Sequence, residues 1–274
     1  MSKIWFITGS SRGFGRQFVQ AALERGDKVA ATARTTESLA DLVAAHGEAI
    51  LPLTLDVTDK TAVAEAVQRA HDHFGRLDVV VNNAGYGLFG MVEELTEQQV
   101  REQMETNFFG ALWVTQAALP LLRAQGRGHI VQISSVGGVT AFPNLGVYNA
   151  SKWALEALSE ALAGEVAGFG IKVTLVEPGG FATDWAGSSA TFAGQLPAYD
   201  DLRTALAANW GNIEHGDPTA AGAALLEVVD ADNPPLRVFF GTSPLHFVPQ
   251  VYAERLKTWE EWADVAAQAQ GTAA

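Results

Sequence analysis

The stretch Lys3-Ile4-Trp5-Phe6-Ile7-Thr8-Gly9-Ser10-Ser11-Arg12-Gly13-Phe14-Gly15 carries the reading of the fold. It opens with a short apolar run, Lys3–Thr8, of the length and composition of a buried strand. A glycine-rich turn, Thr8–Gly15, follows directly. Beyond it Phe18, Val19, Ala22 and Leu23 share one helical face, and Gly26 supplies a residue that ends a helix without a Cβ penalty. Strand, turn and helix in that order bring the backbone close to a pyrophosphate, whose charge is met by free N–H groups and the positive end of the helix macrodipole. The spacing Gly9-xxx-Gly13-x-Gly15 differs from the common G-x-G-x-x-G, so the strand–turn–helix context carries the signal more than the glycine count.

The same rhythm continues outward. Short apolar runs at Lys28–Ala33, Ile50–Leu55, Leu77–Asn82, His129–Ser134, Lys172–Val176 and Arg237–Phe240 alternate with helix-period segments at Thr36–Ala45, Lys60–Phe74, Thr96–Arg123, Tyr148–Val166 and Thr219–Val229. Seven strands predict an α/β fold, a single-domain Rossmann-type doubly wound parallel sheet over residues 1–274 with helices on both faces. The stretch Gly180–Asp217 breaks the rhythm with five glycines and the scattered aromatics Phe181, Trp185, Phe192, Tyr199 and Trp210, and is expected to be an irregular substrate lid after strand six. A C-terminal extension, 244–274, is expected to hold a short helix around Trp259 and Trp262 before a frayed Ala/Gln-rich end.

Composition narrows the function. The chain has 274 residues, 48% of them hydrophobic, no cysteine and a formal charge of −13. Zero cysteine excludes a disulfide framework, a thiolate nucleophile and Cys-ligated metal sites. The acidic balance opposes nucleic acid and anionic membrane as partners. No apolar run reaches the roughly 18 residues of a bilayer span, and the N-terminus reads as a strand and not a signal peptide, so the cytoplasm is the expected location. His71 and His73, two apart in a helical stretch, face different ways and offer no metal site.

Residues that follow strands face the ligand crevice of an open α/β sheet. The second strand ends Ala31-Thr32-Ala33-Arg34, where an NAD site would place a carboxylate; a guanidinium there suits a 2′-phosphate, and Arg12 in the glycine turn can approach the same group. NADP(H) is therefore the expected cofactor. Asp56-Val57 follows the third strand, and Asp56 is either an acceptor for the adenine amino group or a turn aspartate. Asn82-Asn83-Ala84-Gly85-Tyr86-Gly87 follows the fourth, its small residues letting backbone pass near a ribose and its asparagines tying strands together. The strand Ile130–Ile133 ends in Ser134 and Ser135, of which one hydroxyl can face the crevice. In Tyr148-Asn149-Ala150-Ser151-Lys152, Tyr148 and Lys152 stand at i and i+4 on one helical face, where the ammonium is expected to lower the phenol's pKa.

Taken in order, Thr8–Gly15, Asn82-Asn83-Ala84-Gly85, Asn107 within Thr106-Asn107-Phe108, Ser135, Tyr148 with Lys152, and Pro178-Gly179 resemble the short-chain dehydrogenase/reductase family over residues 3 to about 184. The resemblance implies a catalytic tetrad: Tyr148 as general acid/base, Ser135 orienting the substrate oxygen, Lys152 binding the nicotinamide ribose and tuning Tyr148, and Asn107 holding a water of the proton relay. It implies cofactor contacts at Gly9, Ser11, Arg12, Gly13, Phe14, Gly15, Arg34, Asp56, Val57, Asn83, Ala84 and Gly85, at Tyr148 and Lys152, and at Pro178, Gly179 and Thr183. Hydride transfer from NADPH to a carbonyl carbon, with protonation by Tyr148, is the implied reaction.

Substrate contacts are expected from Tyr86, Val136, Phe142, Asn144, Phe181, Trp185 and Phe192, a mostly apolar set that favours a hydrophobic ketone, aldehyde or secondary alcohol. Two other readings stay open: a catalytically silent NADP(H)-binding regulator, and an epimerase working through a keto intermediate. The fold resemblance suggests a homodimer or homotetramer packed through Thr96–Arg123 and Tyr148–Val166.

Overall fold

The computed structural model describes residues 2–210 and 215–271, apart from the side chains of Asn209 and Trp210. Seven strands, β1 (Ile4–Ile7), β2 (Lys28–Ala33), β3 (Ile50–Thr54), β4 (Val79–Asn82), β5 (Gly128–Ile133), β6 (Ile171–Pro178) and β7 (Arg237–Phe240), form one sheet. Its order is β3-β2-β1-β4-β5-β6-β7 and every pairing is parallel. The direction of winding reverses between β1 and β4, which opens a crevice beyond their C-terminal ends.

Alternation along each strand builds two cores. Trp5 and Ile7 of β1, with Val29, Ala31 and Ala33 of β2, face the helices α1 (Gly13–Glu24), α2 (Ala40–His46) and α8 (Ala220–Asp230) through Phe18, Leu42 and Leu225. Ile4, Phe6 and Ala30 face the opposite way, toward α3 (Lys60–Phe74), α5 (Gly110–Gln125) and α6 (Gly146–Val166) through Val63, Leu122 and Leu162. Because both faces are covered, the strands read as continuous apolar runs instead of alternating ones. The doubly wound expectation thus holds in strand number, parallel pairing and layering.

Three expectations are corrected. Thr96–Arg123 is helical as expected but not one regular α-helix: α4 (Glu97–Met104) passes into α5 through a π turn at Glu105–Phe109. The extra residue rotates Asn107 inward, a use of π turns common at functional sites. The lid is not wholly irregular, since Asp200–Trp210 forms α7, with Asp200 and Asp201 in its first turn complementing the helix dipole. A two-stranded parallel pair, Leu88–Phe89 with Thr191–Phe192, fastens the lid to the loop after β4. The C-terminal helix is long, α9 (Ser243–Glu261) running into α10 (Ala263–Gln270), with Pro244 in the first turn, where no N–H is needed. No helix among the described residues is long and apolar enough to cross a membrane.

Candidate active site

A cleft of about 1910 Å³ lies across the C-terminal ends of the strands, bounded on one side by the glycine turn and on the other by the lid. The turn is shaped by its glycines. Gly9 and Gly13 have φ of 66° and 56°, in the left-handed region. A Cβ on Gly15 would lie 2.3 Å from the Gly9 carbonyl oxygen and 2.4 Å from Asn83 Nδ2. The turn is held from β4: Asn83 Nδ2 donates to the carbonyls of Thr8 (3.0 Å) and Gly9 (3.1 Å), while Thr8 Oγ1 accepts from the backbone N–H groups of Asn83 and Ala84, both at 3.0 Å. Asn82 donates to Thr115 Oγ1 (3.0 Å) on α5. The two asparagines therefore do tie neighbouring elements together.

The N-terminus of α1 has no side-chain cap, Arg12 occupying the cap position without bonding the first turn. By contrast Asp59 caps α3 through the N–H groups of Thr61 and Ala62, and Thr96 caps α4 through that of Gln99. An uncapped helix start between Gly9, Ser11, Gly13 and Phe14, all lining the cleft, fits a pyrophosphate. Gly15 lies behind the lining, packed on Gly9.

Arg34 stands exposed at the end of β2 and lines the cleft. Arg12 also lines it, but its Nη1 points to Asp184 Oδ2 and Ser188 Oγ of the lid, each at 3.3 Å, so in this conformation it bridges turn and lid. Asp56 Oδ1 accepts from the N–H (3.0 Å) and hydroxyl (2.8 Å) of Thr58, a turn role that leaves its carboxylate on the cleft wall. Val57 is buried beside it, and a Cβ on Gly110 would come within 2.6 Å of its Cγ2. Pro178 ends β6, and Gly179 and Thr183 follow it along the same wall.

Tyr148, Ser135, Lys152 and Asn107 converge at the centre. Gly137 brings two of them together, since a Cβ there would sit 3.3 Å from both Ser135 Oγ and the Tyr148 ring. Lys152 Nζ donates to the Ile133 carbonyl (2.8 Å) and lies 5.9 Å from the centre of the Tyr148 ring. Asn107 lies behind the wall: its Oδ1 accepts from the Tyr86 N–H (3.1 Å), and its Nδ2 donates to the Tyr86 carbonyl (3.0 Å) and to Ser151 Oγ (3.2 Å). Gly85 stands between, with a hypothetical Cβ 3.1 Å from Asn107 Oδ1 and 3.7 Å from Lys152 Nζ.

The electrostatics of the free site correct one expectation. The Tyr148 phenol is pushed up to about 12 by burial, against a lowering by the Ser135 hydroxyl. Burial brings the Lys152 ammonium down to about 8, with Glu156 working in the other direction. In the free site the ammonium is committed to a backbone carbonyl, and desolvation dominates the titration of both groups.

Aromatic rings roof the centre. Trp185 lies 5.0 Å from the Tyr148 ring and 5.3 Å from Phe89, which stacks on Phe192 at 5.2 Å. Gly87 permits this closure, because a Cβ there would come within 2.8 Å of Trp185. Phe142 packs edge-on against Phe247 at 6.1 Å. Tyr86, Val136 and Asn144 line the same region, Asn144 with φ 67°, the left-handed conformation asparagine tolerates better than most residues. Phe181 departs from this group, packing edge-on at 4.8 Å on Phe14 beside the core. Phe89, absent from the expected substrate residues, reaches the site through its pairing with the lid, and Trp210's side chain lies outside the described residues.

A family model described as short chain dehydrogenase matches residues 3–193. The chain is 42% identical over 269 residues to "Oxidoreductase BOA17" of Botryotinia fuckeliana, covering 97% of this chain and 98% of that protein. It is 40% identical over 262 residues to a "3-ketodihydrosphingosine reductase" of Bacteroides thetaiotaomicron, covering 94% and 93%. A crystal structure of a short-chain dehydrogenase from Streptomyces avermitilis superposes with a TM-score of 0.92 at 40% identity over 98% of both chains. An alcohol dehydrogenase from the archaeon Thermococcus sibiricus, complexed with 5-hydroxy-NADP, superposes at 0.74 with 26% identity over 88% of this chain and 96% of that one. The crevice at the winding reversal, the uncapped helix behind a glycine turn and the convergence on Tyr148 have their explanation in this shared ancestry: the chain is an oxidoreductase of the short-chain dehydrogenase family.

Proposed function

We propose that the protein is an NADPH-dependent reductase interconverting a hydrophobic ketone or aldehyde with its alcohol, with Tyr148 as general acid/base. The observation that carries this reading is a buried phenol, beside Ser135 and under the Trp185 ring, in the same cleft as an uncapped helix N-terminus. The start of α1 with Gly9, Ser11 and Gly13 would hold the pyrophosphate, Arg34 and Arg12 the 2′-phosphate, and Asp56 and Val57 the adenine. Asn83, Ala84 and Gly85 would border a ribose, Tyr148 and Lys152 the nicotinamide ribose, and Pro178, Gly179 and Thr183 the nicotinamide. When bound, that cofactor supplies the hydride.

The chain's own groups do the rest. Ser135 orients the carbonyl oxygen by a hydrogen bond. Tyr148, held neutral by burial, donates its proton as that oxygen becomes an alkoxide. The phenolate left behind is then stabilised by the Lys152 ammonium, a charge pair that strengthens in a desolvated site. Asn107 fixes the Tyr86 backbone at the back of the site, where the family resemblance assigns it a water of the proton relay. Trp185, Phe89, Phe142 and Phe192 supply apolar surface for the substrate, in keeping with a relative named as the reductase of a keto compound. We further expect a homodimer or homotetramer in the cytoplasm, which light scattering and cell fractionation test.

The direct test follows absorbance of the reduced nicotinamide with a panel of hydrophobic ketones and aldehydes, using NADPH and NADH. Turnover that is preferential for NADPH and abolished in Tyr148→Phe supports the reading. Tight NADPH binding without turnover of any carbonyl would instead identify a silent cofactor-binding regulator.

A further inference from the structure

Behind Lys152, on the side away from the cleft, lies a group of charged side chains that the proposed reaction does not use. Glu156 follows Lys152 by one turn on the buried face of α6, and Glu177 stands near the end of β6; they are 4% and 2% exposed. One guanidinium serves both. Arg237 of β7 places Nε 3.0 Å from Glu156 Oε2 and 3.5 Å from Glu177 Oε1, and its Nη2 reaches the exposed Glu160 Oε2 at 2.7 Å. The Oε1 atoms of Glu156 and Glu177 have no hydrogen-bond donor among the described residues. Other polar groups facing the cluster are the Ser134 hydroxyl beyond β5 and Lys152 itself.

Of the two buried carboxylates, Glu156 has the Arg237 guanidinium at 3.0 Å and Lys152 one turn away, whereas Glu177 has only the more distant contact, at 3.5 Å, with a guanidinium already bonded to Glu156 and to the exposed Glu160. An uncompensated buried charge is costly enough that such a group takes up a proton instead. A proton on Glu177 leaves Glu156 as the buried carboxylate paired with Arg237.

We propose that Glu156 is a positioning residue that keeps Lys152 in its charged form, that Arg237 keeps Glu156 ionised, and that Glu177 carries a proton at neutral pH. The titration directions agree. Glu177 is pushed up to about 8, by burial first and by Glu156 second, against Arg237. Glu156 is raised by burial but drawn down by Ser134, Arg237 and Lys152, and Glu156 in turn raises Lys152. The role extends the proposed reading of Lys152 as the partner of Tyr148, and rests on it.

The test reads the ammonium itself. The chain has six lysines, so the side-chain resonance of Lys152 in lysine-labelled protein is assigned as the one missing from Lys152→Arg. In Glu156→Gln its titration midpoint falls by about one pH unit, and Glu156→Asp restores part of the loss. Glu177→Gln, which mimics a protonated carboxyl, leaves the midpoint in place. Arg237→Gln lowers it, because Glu156 then takes up a proton more readily; this variant decides the matter if Glu156→Gln fails to fold. The alkaline limb of the kcat/KM profile moves with the midpoint, whereas a merely structural loss would depress activity equally at every pH. Coincident titrations in wild type and Glu156→Gln would overturn the proposal, and a shift in Glu177→Gln equal to that in Glu156→Gln would overturn the assignment of the proton. Turnover surviving Tyr148→Phe would instead remove the catalytic reading and leave the titration result standing.

Discussion

The floor of the cleft and its roof are built differently. The floor consists of strand ends and helix starts in which key side chains bond the backbone of the fold: Asn83 on the Thr8 and Gly9 carbonyls, Asn107 on the Tyr86 backbone, Lys152 on the Ile133 carbonyl. The roof, from Ala182 to Arg203, is held by rings and by charged contacts at the surface. There Arg12 meets Asp184, Arg203 meets Asp200 and Tyr199 donates to Glu93 Oε2 at 2.6 Å, with the Arg203–Glu94 pair covered beneath them. Side chains bonded to the backbone beneath the cleft hold one geometry, whereas exposed ion pairs are individually weak and screened by salt. A site made this way keeps its reacting groups fixed while its cover can yield to substrate, and variants in the two regions should fail in different ways.

The largest separation is expected in turnover. Tyr148→Phe removes the transferable proton and preserves the ring packing on Trp185, so kcat should fall by about 10²- to 10⁴-fold with little change in NADPH affinity. Rapid-kinetic measurement of hydride transfer and fluorescence titration of NADPH check the two halves of this statement. A Phe variant with wild-type kcat would break the distinction between floor and roof.

The sheet that carries the floor, at its end away from the cleft, should set the response to acid. His129, at the start of β5 and 4% exposed, bonds Thr174 Oγ1 at 2.9 Å and is brought down from 6.5 to about 4 by burial, with Lys172 and Lys3 adding to the effect. A histidine with a depressed folded pKa contributes stability that is present above pH 6.5 and is lost as pH falls toward 4. The loss is on the order of 3 kcal/mol. Denaturant unfolding at pH 7 and pH 4 should show it, and His129→Gln, which can still bond Thr174, should remove most of it. Identical pH dependence in the variant would assign the acid sensitivity elsewhere.

Next in size is cofactor choice. Arg34 is exposed on the cleft wall and faces a 2′-phosphate in the proposed reading. Arg34→Glu should shift the ratio of kcat/KM for NADPH over NADH by roughly 10- to 100-fold toward NADH, the range of a charge-assisted hydrogen bond. An unchanged ratio would move discrimination to Arg12, and with it to the contact between floor and roof.

How much of this was legible in the sequence follows the same division. The strands of the floor are short apolar runs covered on both faces, so periodicity finds them, and the functional side chains follow strand ends or share a helix face, as Tyr148 and Lys152 do. Asn107 emerged only from the family resemblance, because the π turn that aims it inward has no 3.6-residue signature. The raised Tyr148 pKa was misjudged because burial is a property of the assembled site and outweighs the local Lys152 charge. In the roof, α7 has little amphipathic contrast to mark it, and Phe89 joins the site only through a strand pair formed across about 100 residues.

The smallest effect should come from the fastening of the roof, and it bears most directly on whether the lid moves. Glu94 accepts hydrogen bonds from the backbone N–H groups of Met91 and Leu196, both at 2.8 Å, and pairs with Arg203, the Leu196 bond contributing most to holding its carboxyl below the usual range. Glu94→Gln keeps one oxygen, for either the Met91 or the Leu196 N–H, and loses both the other acceptor and the charge opposite Arg203, so the lid should open more often without any change in the floor. Cleavage by a dilute protease within residues 182–203 should quicken a few-fold and KM should rise by a similar factor, with kcat nearly preserved. Raising salt to about 1 M, where screening acts over roughly 3 Å, should quicken wild-type cleavage less than the variant does, because it weakens the exposed Arg12–Asp184 and Arg203–Asp200 contacts and leaves the covered Arg203–Glu94 pair in place. Tyr148→Phe should be cleaved at the wild-type rate in either buffer. If salt and Glu94→Gln both leave cleavage unchanged, the rings of Trp185, Phe89 and Phe192 hold the roof by themselves, and substrate must enter by a path that does not require the lid to lift.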